Sequence, residues 1–340
     1  SSIGPGALNM VTAAGTAHAN RLPVLLIAGD TFNNRLPDPV LQQVEHFNNP
    51  TTTVNDAFKS VTRYWDRITH PAQIIQSLPQ AIAAMLDPAD CGPAFIGLPQ
   101  DTQEIAFDYP EVFFAERLWT IPRPRADRKA LTDAADLLKT AKKPLIIAGG
   151  GVRYSGAGNA VAEFAAKRGI PVVETIAGKG GLTHYHPVHA GPIGIIGSTS
   201  ANALAGDADV ILAIGTRLQD FTTGSWTAFG QDAQFIAINA ARFDAVKHRA
   251  LAVVGDALET VTELDAALGS WHADAAHLPH AQALFAEWNA LLDTHQAVSN
   301  GPIPTYAQVV GVLNKSASPN DTLFCAAGGT PGEITKGWRV

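Results

Sequence analysis

Between Pro144 and Lys179 the chain reads as a strand, a turn of three glycines, a helix and a second strand, and this order limits the possible folds more than any other feature. Leu145, Ile146, Ile147 and Ala148 form an unbroken apolar run, the pattern of a parallel strand buried on both faces. Gly149, Gly150 and Gly151 then allow a sharp turn and a close approach to the backbone. From Gly158 to Arg168, Val161, Phe164 and Ala165 recur at helical spacing. Gly169 supplies the stop, and Pro171 leads into Val172 and Val173. Two strands joined by a crossover helix must lie parallel.

The same alternation continues on both sides. Val210 to Ile214, Phe235 to Ile238 and Leu251 to Val254 are further apolar runs, and Ser198 is placed to cap a short helix through Leu204. Asp127 to Lys142 carries Leu131, Ala134, Ala135, Leu138 and Ala141 on one helical face, as Leu258, Val261, Leu264 and Leu268 do further on. Residues 122–270 are thus expected to form a complete α/β domain, a doubly wound parallel sheet of about six strands.

A chain of 340 residues exceeds one ordinary domain. Charged residues make up 16% and hydrophobic ones 46%, a profile that excludes a disordered tail. The net charge of −7 gives no field for nucleic acid or an anionic membrane. Cys91 and Cys325 lie far apart without a CxxC partner, and no apolar run approaches the length of a membrane span. A soluble chain with the cytoplasm as its default compartment is expected.

Residues 1–121 read as the second part of an α/β domain: a helix from Pro5 to about Asn20, a strand from Val24 to Ala28, helices from about Asp38 to Phe47 and from Pro71 to Met85, and a strand from Ala94 to Leu98. Pro122 and Pro124 mark an extended linker. Residues 271–340 read as a linking helix from about Ala281, a helix through Val309 and Leu313, and a strand from Thr322 to Ala327 that opens another domain. The expectation is a fragment: part of one domain, a whole second and the start of a third.

The run Ser2-Ile3-Gly4-Pro5-Gly6-Ala7-Leu8-Asn9 resembles the GPGxxN segment in the pyrimidine-binding domain of thiamine-diphosphate enzymes of the acetolactate synthase type. The order of domains matches that family's three-domain chain. Gly29 to Arg35, Pro37 to Gln43, Tyr64 to Ile68 and Ala326 to Glu333 resemble members that open a cyclic polyol dione in myo-inositol catabolism.

This resemblance implies hydrolytic cleavage of a carbon–carbon bond with thiamine diphosphate and Mg²⁺, in a homodimer or homotetramer with its cofactor between subunits. Pro5 and Asn9 would line the pyrimidine side, Gln42 would face the reacting centre, and Gly328, Gly329 and Thr330 would approach the diphosphate. The family's pyrimidine-contacting glutamate and its Mg²⁺ segment would fall outside residues 1–340. On that reading the chain alone is expected to be inactive and to bind thiamine diphosphate no better than about millimolar. No metal ligand is assigned within it.

Other readings stand beside this one. An acetolactate synthase-like lyase or carboligase fits the same family, and a non-catalytic module holding a nucleotide at Gly149 to Arg153 is a different class. Relatives bind FAD near Gly149 to Gly151, and Arg217 follows Gly215 much as in them. Here Glu174 is the one acidic candidate for a ribose, so packing is preferred and no FAD is expected. His184, His186 and His189 look like metal ligands but lie in a loop around Pro187 with no Cys or carboxylate expected nearby, which favours a structural or solvent-exposed role. Lys59, Arg63 and Trp65 could reach a polyol substrate or simply form a solvated face.

Overall fold

The computed structural model describes residues 1–36, 41–44, 46, 48–299, 301–318 and 320–339. They fall into two compact bodies, Ser1–Pro122 and Arg123–Val340.

In the first body Pro5 opens helix α1 (Pro5–Asn20), where its missing N–H costs nothing. The helix ends as Arg21 turns left-handed, φ 55. Strands β1 (Leu25–Asp30) and β2 (Tyr64–Arg67), helix α2 (Ile74–Met85) and strand β3 (Ala94–Pro99) follow. The strands form a parallel sheet in the order β1-β3-β2. Leu26 and Ala28 of β1 point into a core with Ala7, Ala14, Phe58 and Phe95, where the two phenylalanine rings stack at 4.3 Å. Leu25 and Ile27, on the opposite face by the period-two rule, remain exposed.

The second body is built on six parallel strands: β4 (Pro144–Ala148), β5 (Val172–Glu174), β6 (His189–Pro192), β7 (Val210–Ile214), β8 (Gln234–Asn239) and β9 (Leu251–Val254). Their order is β6-β5-β4-β7-β8-β9, so the chain reverses direction across the sheet between β4 and β7. Alternation within one strand feeds two cores. Ile146, Ala148, Leu212 and Ile214 join the core beneath α3 (Arg128–Lys139), α5 (Gly158–Arg168) and α9 (Ala257–Leu268). Leu145, Ile147, Ile211 and Ala213 join the other, beneath α6 (Thr199–Asp207) and α10 (His277–Gln296). A strand covered by helices on both sides has to be apolar throughout, which is why these segments show no polar alternation. The doubly wound α/β class expected from the sequence is present.

Several elements differ from the sequence reading. Residues 321–326 form no strand; they are irregular and lead into α12 (Gly329–Gly337), which packs with α11 (Tyr306–Ser316). Among the described residues no neighbouring strand stands beside them, and an apolar run without one has no ladder to satisfy its backbone. Of the helix expected from Asp38 to Phe47, residues 38–40, 45 and 47 lie outside the described residues, and 41–44 are not helical. Strands β2 and β6 went unread because neither is an apolar run: β2 carries Asp66 and Arg67, and His189, Gly191 and Pro192 of β6 are poor strand formers.

Candidate functional site

Within the first body, Pro5 and Asn9 lie one turn apart and exposed on α1. Gly4, just before them, has φ 68, and a Cβ there would sit 1.6 Å from the Gln42 carbonyl oxygen. Only glycine lets the chain at Gln42 close onto the start of α1. The structure therefore brings Gln42 beside the Gly4-Pro5 turn, although 37 positions separate Gln42 from Pro5 in sequence. Gln42 itself is exposed and left-handed, φ 69, a backbone state rarely held without local support.

Arg67, at the end of β2, anchors the carboxyl ends of this sheet. Its Nε donates to Asp30 Oδ2 at 2.7 Å and its Nη2 to Thr53 Oγ1 at 2.8 Å and Asp56 Oδ2 at 3.0 Å. Lys59 pairs with Asp56 at 2.6 Å and lies 4.3 Å over the Trp65 ring, whose Nε1 donates to the Asn55 carbonyl. Arg63 pairs with Asp90 and contacts His18. Lys59, Arg63 and Trp65 thus have protein partners in this arrangement. Burial pushes the Cys91 thiol up, the reverse of what activates a nucleophile.

In the second body, Gly328 has φ 139 and opens α12 with no side-chain cap. Gly328 and Gly329 are exposed and Thr330 is half-buried. A Cβ on Gly329 would lie 2.6 Å from Tyr306 Cε2, so glycine here lets the Tyr306 ring rest against the start of α12. An uncapped helix start presents free N–H groups and a positive dipole end, which suits phosphate oxygens.

The triple glycine after β4 has a packing role. Gly149 N–H donates to the Ile214 carbonyl and Gly151 N–H to the Gly215 carbonyl, both at 2.9 Å. A Cβ on Gly151 would stand 2.6 Å from Gly215 Cα, so the two turns touch backbone to backbone where the strand order reverses. Glu174 is buried: Oε1 accepts the Leu182 N–H at 2.9 Å and Oε2 faces His189 Nε2 at 3.2 Å. This corrects one point of the sequence reading, since the histidine cluster does have a carboxylate beside it, supplied by the adjacent strand β5. Among the described residues no group of three or more His, Cys, Asp or Glu could hold a metal.

A doubly wound body whose glycine turns meet at the switch point defines a recognisable class. Residues 131–264 match the central domain of thiamine pyrophosphate enzymes. Over its whole length the chain is similar to proteins named 3D-(3,5/4)-trihydroxycyclohexane-1,2-dione hydrolase. That of Clostridium perfringens is 39% identical over 100% of this chain and 57% of the relative. Those of Geobacillus thermodenitrificans and Bacillus licheniformis are 39% and 41% identical over 99% of the chain, and 56% and 57% of their own lengths. The chain spans a little over half the length of these relatives. No helix among the described residues is long and apolar enough to cross a membrane.

Proposed function

We propose that this chain serves the thiamine-diphosphate-dependent hydrolytic opening of a cyclic 1,2-dione, a trihydroxycyclohexanedione of myo-inositol catabolism, as the names of its relatives indicate. The observation that carries the reading is the uncapped start of α12, where Gly328, Gly329 and Thr330 leave backbone N–H groups free for a diphosphate. Thiamine diphosphate, with Mg²⁺, supplies the carbon nucleophile and electron sink that such a cleavage needs. The chain's own residues bind and orient. Pro5 and Asn9 would contact the pyrimidine from the exposed face of α1, and Gln42, held against the Gly4 turn, would position the reacting groups. We propose residues 1–121, 122–270 and 271–340 as the functional divisions, a homodimer or homotetramer as the working assembly, and the cytoplasm as its place.

The test is turnover of the dione by the active protein with thiamine diphosphate and Mg²⁺. Gln42→Ala is expected to lower kcat about a hundredfold, the usual cost of one positioned donor. Consumption of pyruvate with the dione left untouched would replace this reading with a carboligase.

A further inference from the structure

Lys179 is the one half-buried lysine among the described residues whose ammonium meets no partner. Lys247 and Lys336, half-buried like it, pair with Asp244 at 2.7 Å and with Glu333 at 3.1 Å. Lys179 makes no ion pair, and its Nζ no hydrogen bond, among the described residues. A half-buried charge left in this way carries its desolvation cost with nothing to offset it.

The fold holds the residue in that position. Lys179 follows β5 in a turn where the Gly178 N–H donates to the Thr175 carbonyl at 3.0 Å and the Gly181 N–H to the Gly178 carbonyl at 2.8 Å. A Cβ on Gly178 would fall 2.1 Å from the Ala148 carbonyl oxygen, so the turn is pressed against the end of β4. Arg153 Nη1 donates to the Lys179 carbonyl at 3.1 Å and fixes the backbone there. Gly178, Gly180 and Gly181 bring no side chain that could pair with the amine. The carboxylate that acts on it, Glu174, is committed elsewhere: Oε1 accepts the Leu182 N–H at 2.9 Å and Oε2 faces His189.

Burial therefore holds the Lys179 ammonium below its ordinary pKa, with Glu174 opposing the shift and not outweighing it. The surroundings disfavour any cation: burial above all brings His184 down to about 4, and the Lys179 charge adds to this. More of Lys179 is then free amine at neutral pH, the form that attacks a carbonyl carbon. By the trade that also governs thiols, each tenfold gain in the free form costs about threefold in intrinsic nucleophilicity, which leaves a net gain of about threefold.

We propose that Lys179 is an acylation site, which takes an acetyl group from an activated donor, a thioester or an acyl phosphate, and becomes a neutral amide. The amine nitrogen bonds to the acyl carbon, the C–S or C–O bond breaks, and the thiolate or phosphate leaves with the electron pair. The proton lost by nitrogen goes to the leaving group or to water. The amide suits the place better than the cation, since acetylation removes the charge that burial penalises.

Incubation of the whole chain with acetyl-CoA or acetyl phosphate, from about pH 7 to about pH 10, tests this by peptide mass spectrometry at each lysine. With at least one donor, Lys179 is expected to react at least about threefold faster near pH 7 than the exposed Lys142 and Lys315. Its rate should also level off at a lower pH than theirs, and reaction with one donor alone names the source. In urea, where burial is lost, the three lysines should react at similar rates, which separates the effect of the fold from that of neighbouring sequence. Lys179 no faster than the exposed pair with both donors, a levelling at the same pH, or the same preference in urea would overturn the assignment.

Discussion

Arg168 is the largest fully buried side chain among the described residues, and truncating it should be the most costly single change in the second body. It ends α5, and its guanidinium caps the end of α9. Nε donates to Asp265 Oδ1 at 2.7 Å, Nη2 to the Asp265 carbonyl at 2.6 Å, and Nη1 to the carbonyls of Gly269 at 2.8 Å and Trp271 at 2.5 Å. Three carbonyls and a carboxylate thus depend on one cation, at a helix end where carbonyls have no partner of their own and the dipole favours positive charge.

Hydrogen bonds to a charged donor contribute about 1.5–3 kcal/mol each, but they share one desolvation cost and do not add. Breaking a buried pair by removing one partner costs about 3–5 kcal/mol, and that is the expectation for Arg168→Ala. With a urea slope of about 2–3 kcal/mol/M, the midpoint should fall by about 1–2 M. Arg168→Met, which keeps the volume but not the charge, should recover only part of this loss. Asp265→Asn, which leaves the carbonyl contacts in place, should cost less than Arg168→Ala.

Burial pushes the Asp265 carboxyl up, but hydrogen bonds from Lys167 and Arg168 outweigh it and hold the group below its ordinary value. Its contribution is therefore complete above the unfolded value of about 3.9 and fades as pH falls through the lower folded value. Urea titrations monitored by circular dichroism at pH 7 and pH 3 check both parts. A loss under about 1 kcal/mol for Arg168→Ala at pH 7 would refute the capping argument.

Gly215→Ala should destabilise by more than about 2 kcal/mol, because the residue has φ 59 and its Cβ would fall 2.6 Å from Gly151 Cα. Gly156→Ala shares a positive φ of 65 but meets nothing within 4 Å, so its cost should stay near 1 kcal/mol; thermal melts of the two variants separate crowding from backbone conformation. The His184 ring should titrate near pH 4 in a proton NMR series. Because its folded value lies below the unfolded 6.5, stability should fall as pH drops from about 6.5 toward 4, and an ordinary midpoint near 6.5 would show the ring to be solvated.

How much was legible in the sequence varied with what each segment depends on. The apolar runs of β4 and β7 could be read because a strand buried on both faces needs every position apolar, and β8 and β9 carry shorter runs of the same kind. Helix α5 ends as read, at Arg168 with Gly169 in the left-handed cap, because local backbone chemistry decides such stops. Strand β6 carries no comparable signal. Its His189-Ala190-Gly191-Pro192 becomes a strand only because β5 offers an edge to pair with. Conversely, Thr322 to Ala327 has the composition of a strand and no such edge among the described residues.

The sequence by itself determined the α/β class, the parallel sheet of the second body and the family resemblance, since periodicity, glycine turns and short motifs are local properties of the chain. Only the tertiary structure decided which distant residues meet. Gln42 lies against Gly4, Arg168 reaches the carbonyls beyond α9, Glu174 faces His189, and Arg339 arrives at the cavity lined by His184 and His189 from more than 140 positions away in sequence. Those encounters follow from strand order and helix packing. Their partners are set by long-range geometry, which no single stretch of sequence encodes.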